Sequence, residues 1–249
     1  MRTFGLIGGT LAHSFSAAYF TKKFEEQQIN AVYKNFPLQS IGELNELLVQ
    51  NPEMVGLNVT IPFKQSVIPF LDTLSPEAEA VGAVNTIHIS NGVRKGHNTD
   101  VAGFAASIKP FLAFGMERAL VLGNGGAAAA VHYVFQRLGI EVWHVVRQLS
   151  SQPRFREMTY GDVNKYVLKA CHIIVNATPV GTWPSVEERP KLPYSYVSTG
   201  HLLVDLVYNP PTTEFMKEGQ AQGAVVLNGL SMLHNQAEES WKIWNSNQR

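Results

Sequence analysis

The chain has 249 residues, 45% hydrophobic and 16% charged, enough to bury the core of one large domain or two ordinary ones and too apolar for a disordered protein. Lys and Arg total 20 against 20 Asp and Glu, so no broad positive field exists for non-specific nucleic-acid binding, and a charged ligand must be met by local charge. The lone cysteine, Cys171, rules out an internal disulfide, no Cys/His cluster has structural zinc spacing, and the pattern fits the reducing cytoplasm with no metal expected.

The first apolar run, residues 4–8, ends in Gly8-Gly9. It is shorter than the roughly 7–15 residues of a secretory core and reads as a strand. Residues 16–28 place Ala17, Phe20 and Phe24 at helical spacing, and residues 32–38 alternate like a strand. Residues 41–49 carry Leu44, Leu47 and Leu48 on one helical face, residues 56–60 form a brief strand closed by Pro62, and residues 83–89 suit another strand. Strands separated by helices predict a parallel α/β sheet.

Residues 118–122 form an apolar strand running into Gly123-Asn124-Gly125-Gly126, followed by an alanine-rich helix to about Leu138 and a second strand over 141–146. That is one βαβ unit. Short buried strands follow at 172–176, 202–206 and 224–227, with a polar loop at 150–156. The chain closes on a helix over 230–244 with Leu230, Leu233, Ala237, Trp241 and Trp244 on one face. No run of about 18 apolar residues occurs, which excludes a transmembrane helix.

Glycines between a strand and a helix let the backbone approach a pyrophosphate at the positive helix end. Gly123, Gly125 and Ala128 occupy the three small positions of the dinucleotide fingerprint. After the next strand, where an NAD site carries a carboxylate, stands Arg147. A guanidinium there can clamp a 2′-phosphate, which favours NADP, although a solvated loop cation would read the same. In the first half, Asn58, Thr60 and Lys64 surround a strand end, and a lysine among apolar neighbours such as Pro62 and Phe63 can exchange a proton near neutral pH. Ser14, Ser16, Asn85, Asn98 and Asp100 complete a polar inventory suited to a small polyhydroxy acid. Ser16 and Asp100 are equally placed as helix N-caps.

The segments Ile7-Gly8-Gly9-Thr10-Leu11-Ala12-His13-Ser14-Phe15-Ser16, Asn58-Val59-Thr60-Ile61-Pro62-Phe63-Lys64, Gly82-Ala83-Val84-Asn85-Thr86 and Asn98-Thr99-Asp100 closely resemble, in order and spacing, the shikimate dehydrogenase family. The resemblance continues through Gly123–Ala127, Asn176-Ala177-Thr178-Pro179, Asp205-Leu206-Val207-Tyr208 and Asn228-Gly229-Leu230-Ser231-Met232-Leu233 to Gln236, nearly the whole chain. It implies reversible NADPH-dependent reduction of 3-dehydroshikimate to shikimate, in aromatic amino acid biosynthesis, by a cytoplasmic monomer or homodimer with no nucleic-acid or membrane partner. It implies two lobes: an α/β substrate domain over 1–100, completed by the helix at 230–249, and a Rossmann-like NADP-binding domain over 101–229.

By this resemblance Lys64 and Asp100 would be the catalytic pair, Asp100 orienting Lys64 and accepting a substrate hydroxyl. Ser14 and Ser16 would hold the carboxylate with Tyr208 on that side, and Thr60, Asn85 and Gln236 the hydroxyls or ring edges. Gly123, Asn124, Gly125, Gly126 and Ala127 would form the pyrophosphate turn, Arg147 would meet the 2′-phosphate, and Thr178, Leu206, Gly229 and Met232 would line the nicotinamide side. Met232 and Gln236, four apart, share a helical face, though Met232 suits plain core packing equally. Val146-Arg147-Gln148 stands where the family commonly has Asn-Arg-Thr, which keeps the guanidinium and loses the flanking Asn and Thr. A quinate/shikimate dehydrogenase using NAD, and a metabolite-sensing module without chemistry, are the alternatives.

Overall fold

Short apolar strands bounded by Gly, Pro or polar caps build two α/β units in the computed structural model, which describes residues 1–11 and 14–246. One unit is Met1–Thr99 with Gln236–Arg249, the other Asp100–Asn235. In the first, strands β1 (Arg2–Gly8), β2 (Ala31–Pro37), β3 (Met54–Val59), β4 (Thr73–Leu74), β5 (Thr86–Ser90) and β6 (Val93–His97) lie in the order β2-β1-β3-β5-β6-β4. Helices α1 (Phe15–Glu26), α2 (Leu44–Gln50) and α3 (Pro76–Val81) connect them. Pro76 opens α3 and Gly82, at φ 61°, closes it in the left-handed conformation.

The wholly parallel sheet expected for this half is not what forms. β1 runs parallel to β2 and β3, but β5 is antiparallel to both β3 and β6. For the β5–β6 pair the cause is the Asn91-Gly92 turn, with φ of 51° and 77°. Two consecutive positive φ values make the tight turn that matches strand twist in a hairpin. β6 was not among the strands read from the sequence.

The second unit holds β7 (Arg118–Leu122), β8 (Glu141–Val146), β9 (Glu157–Thr159), β10 (Ile173–Asn176), β11 (Leu202–Asp205) and β12 (Val225–Leu227), in the order β12-β11-β10-β7-β8-β9. Every pairing is parallel. Helices α4 (Thr99–Ile108), α5 (Gly126–Arg137), α6 (Lys165–Ala170), α7 (Glu214–Ala221) and α8 (Leu230–Trp244) accompany it, α4 and α8 each containing a boundary between the units. Ala119, Val121, Ile173, Val175 and Val204 pack with Phe104, Val131 and Phe135 on one face. Leu120, Leu122, Ile174 and Leu203 pack with Leu168, Phe215 and Met216 on the other. Burial of both faces explains the nearly continuous apolar strands.

Helix α8 departs from its predicted stripe. Leu230 is exposed, while Met232 is buried in the second unit's core and Ala237 and Trp244 are buried in the first. Trp244 lies 4.9 Å from Phe4 and 5.3 Å from Phe20 between ring centroids, and its Nε1 donates to the Ile87 carbonyl at 2.9 Å. Gly56 makes room for it, since a Cβ there would sit 2.2 Å from the indole nitrogen. Glu238 on the same helix accepts from Lys23 at 2.6 Å and from the Tyr19 hydroxyl, tying α8 to α1.

Candidate active site

In the first unit, Ser14 is the N-cap of α1, its hydroxyl accepting from the Ala17 amide at 3.2 Å. Ser16 lies inside the helix, buried. The cap is therefore Ser14, not Ser16. Thr60 and Lys64 follow β3, both half-buried. The turn between them is closed by the Phe63 amide on the Thr60 carbonyl at 2.9 Å, and the Lys64 carbonyl accepts from Val84 at 2.7 Å. The Lys64 backbone is thus pinned, leaving its side chain as the adjustable part.

Asn85 and Gln236, 151 residues apart, meet at 3.4 Å between Nδ2 and Oε1. Asn85 also donates to the Thr99 hydroxyl at 2.9 Å and accepts from the Thr99 amide at 2.7 Å. The network extends to a residue that sequence reasoning missed. Ser240, fully buried, reaches Thr86 at 2.8 Å, Asn58 at 3.0 Å and Thr99 at 3.2 Å while donating to the Gln236 carbonyl at 2.9 Å. Asn58 in turn accepts from the Tyr33 hydroxyl at 2.8 Å. The signal was a lone serine four residues after Gln236, on the same helical face. Asn98 is a structural clamp, donating to the Ala83 carbonyl at 2.8 Å. His97 is half-buried, and burial pushes it down to about 4; His13 lies outside the described residues.

In the second unit the strand order reverses between β10 and β7, the topological switch point where ligands of open α/β sheets collect. Gly123 leaves β7 at φ 101°, and a Cβ on it would lie 3.1 Å from the Thr178 methyl, so the structure brings Gly123 and Thr178 together. Gly125, the N-cap of α5, has no side chain to satisfy the first-turn amides, and nothing lies within 4 Å of where its Cβ would be. Gly126 and Ala127 begin the helix. Free amides, open space and the helix dipole together fit a pyrophosphate.

Asn124 is exposed, and its side chain donates within the protein, to Glu157 at 3.2 Å. Glu157 also accepts from the Ser150 amide and hydroxyl at 2.8 and 2.9 Å, anchoring the loop after β8. Arg147 opens that loop, exposed and in no salt bridge among the described residues. Gly229 abuts the backbone instead of open space: a Cβ there would lie 2.2 Å from the Leu206 carbonyl oxygen, so its visible role is to let the start of α8 approach Leu206.

Polar residues end the adjacent apolar strands β10 and β11. Asn176 accepts from the Thr178 hydroxyl at 2.6 Å and donates to Asp205 at 2.9 Å. Asp205 also accepts from the Val207 amide at 3.0 Å and the Thr213 hydroxyl at 2.5 Å. This buried pair organises the segments carrying Thr178, Leu206 and Tyr208. Burial outweighs its hydrogen bonds and raises Asp205 to about 6. The folded state therefore holds this proton more tightly than the unfolded state, so stability falls as pH rises from about 4 to 6, by about 3 kcal/mol. Asp205→Asn is expected to remove that slope: in urea unfolding, the variant gains on the parent across this window. A pH-independent difference would exclude a buried ionising Asp205. Asp100, also buried, is the first residue of the second unit, on α4.

Comparison with known proteins adds to this geometry. The model for the shikimate dehydrogenase substrate binding domain matches residues 6–87. A shikimate dehydrogenase (NADP(+)) of Nostoc sp. is 35% identical, covering 96% of this chain and 89% of its own. The Thermus thermophilus shikimate 5-dehydrogenase, solved with NADP(H) and shikimate, is 32% identical with a TM-score of 0.83, covering 99% of this chain and 94% of its own. A quinate dehydrogenase of Corynebacterium glutamicum in complex with NAD is 27% identical with a TM-score of 0.86, over 98% and 94% of the two chains.

Proposed function

This chain belongs to the shikimate dehydrogenase family, and on that premise we propose that it is an NADP-dependent shikimate dehydrogenase, reversibly reducing 3-dehydroshikimate to shikimate. The observation that carries the reading is the likeness over nearly the full length to NADP(+) shikimate dehydrogenase, joined to a glycine turn with open space over Gly125. Gly123, Asn124, Gly125, Gly126 and Ala127 are the residues that would hold the pyrophosphate through backbone amides, and Arg147 the 2′-phosphate. Thr178, Leu206, Gly229 and Met232 take the nicotinamide side. NADPH held there would supply the hydride that the ketone carbon takes up.

The chain's own residues do the rest. Ser14, Ser16 and Tyr208 bind the carboxylate, while Thr60, Asn85 and Gln236 orient the ring by its hydroxyls. As negative charge grows on the ketone oxygen, the Lys64 ammonium stabilises it and delivers the proton. Asp100, its catalytic partner, accepts a hydrogen bond from a substrate hydroxyl. In the oxidative direction Lys64 receives that proton back.

Initial rates with shikimate and quinate, each with NADP and NAD, test this reading. Shikimate with NADP is expected to have the highest kcat/KM. Arg147→Leu should cost NADP about 10- to 100-fold, the worth of charge-assisted hydrogen bonds, and leave NAD unchanged. Apolar Val146 beside Arg147, where the family commonly has Asn, favours one second reading, a quinate/shikimate dehydrogenase using NAD. Faster turnover of quinate with NAD would establish it and overturn the first; absence of any turnover would leave a metabolite-sensing module.

A further inference from the structure

The backbone of the glycine turn is held by an unusual pair of side chains. His144, fully buried on β8, places Nδ1 at 2.7 Å from the Gly123 carbonyl oxygen. Its Nε2 lies 3.0 Å from Nδ1 of His132 on α5. A carbonyl can only accept, so Nδ1 of His144 carries the hydrogen. Burial pushes His144 down to about 4, against the opposing pull of its bond to the Gly123 carbonyl and of Glu157 and with His132 and Arg154 adding to the shift, and burial with Arg154 lowers His132 as well. In the neutral ring Nε2 is then an acceptor, and His132 must donate to it through its own Nδ1. Phe155 stacks on His144 at 4.1 Å and 10° and lies 4.6 Å from His132. The pair therefore touches three pieces of the proposed cofactor turn: its first glycine, the helix that follows, and the loop that begins at Arg147.

We infer that His144 is a positioning residue for the dinucleotide: by fixing the Gly123 carbonyl it sets the plane of the Gly123–Asn124 peptide and hence the direction of the Asn124 amide. The step is geometric. In a planar trans peptide the carbonyl and the following N–H point in opposite directions, and this bond is not among the cis peptides of the chain. A carbonyl drawn toward buried His144 aims the Asn124 N–H away from it. The other side of Gly123 is anchored to the same strand, its amide donating to the Val145 carbonyl at 2.9 Å. Gly123 has a positive φ and would otherwise be the most freely rotating residue of the turn. Holding both of its polar groups from β8 removes the cost of ordering the turn when an anion binds.

The inference rests on the dinucleotide reading proposed above, and direct titration of the full chain with NADP+, without shikimate, separates the two. Failure of the parent protein to bind NADP+ would overturn the cofactor reading and with it this inference. If the parent binds, His144→Leu is expected to raise Kd and KM for NADP+ about tenfold, the worth of one hydrogen bond, with kcat and the shikimate KM within about twofold. His144→Asn, whose amide can replace the Nδ1 donor, should stay within about threefold of the parent, whereas His144→Gln, which places its amide at the Nε2 end, should not. The Asn/Gln contrast keeps the test open if the leucine variant fails to fold. Unchanged NADP+ affinity in His144→Leu, equal losses in the Asn and Gln variants, or parallel loss of kcat and both KM values would each overturn the positioning role.

Discussion

Lys64→Ala is expected to lower kcat for shikimate oxidation by about 10²–10⁴-fold, the usual contribution of a positioned general acid–base group, while shikimate binding measured by calorimetry changes far less. The asymmetry follows from the role. In the ground state the reacting oxygen of shikimate is a neutral hydroxyl; as the hydride leaves it gains alkoxide character, so the group that takes its proton acts mainly in the transition state. Lys64→Arg separates charge from proton transfer. A guanidinium keeps the positive charge but exchanges no proton at working pH, so shikimate binding should stay near the parent's and turnover should not return. Alanine turnover within a few-fold of the parent would remove Lys64 from the chemistry. The pinned backbone makes the experiment clean, because the Phe63 and Val84 hydrogen bonds that hold residue 64 are made by main chain and survive the substitution.

The second large effect falls on stability. Trp244→Ala is expected to cost about 3–5 kcal/mol, the range for removing a buried aromatic side chain, read as a lower urea midpoint. Trp244 is 2% exposed and packed against Phe4, Phe20 and Tyr33. Its removal leaves a void over Gly56 and deprives the Ile87 carbonyl of its donor. The surroundings cannot close the gap readily, because the strand beneath it is held by β1 and β5 on either side. Trp244→Phe should recover much of the packing and none of the hydrogen bond. A loss below about 1 kcal/mol for the alanine variant would mean that the cluster relaxes, contrary to the close packing of interiors.

Much of this was legible in the sequence where the deciding forces are local. The β7–α5 turn announces itself because a left-handed Gly123 and an uncapped helix start leave glycines at fixed offsets. The apolar strands of the second unit are equally plain, since burial on both faces demands continuous runs. Asn91-Gly92 carried a usable hairpin signal that the broader rhythm of strand and helix overrode, and β6 went unread as a result. Other features had no local signature. Ser240 becomes a hub only because Asn58, Thr86 and Thr99 arrive from up to 182 residues away. His132 and His144 read as an ordinary helix residue and an ordinary strand residue until β7, β8 and α5 assemble. Asp205 showed only as a polar end to an apolar strand, and its raised affinity for a proton comes from burial that the sequence does not display.

The first unit is built from the two ends of the chain, whereas Asp100–Asn235 is continuous. This fixes an order of events during synthesis. The second unit's whole sequence is available to fold while translation continues, but Phe4 and Phe20 must wait for Trp244, and Asn85 for Gln236, until helix α8 has been made. A message truncated shortly after codon 235 would yield a chain with an intact glycine turn and an unfinished first unit, its aromatic cluster lacking Trp241 and Trp244. Helix α8 thereby ties the first unit to residues made after the second: a chain without it lacks both Trp244 of the aromatic core and Gln236 and Ser240 of the buried polar network.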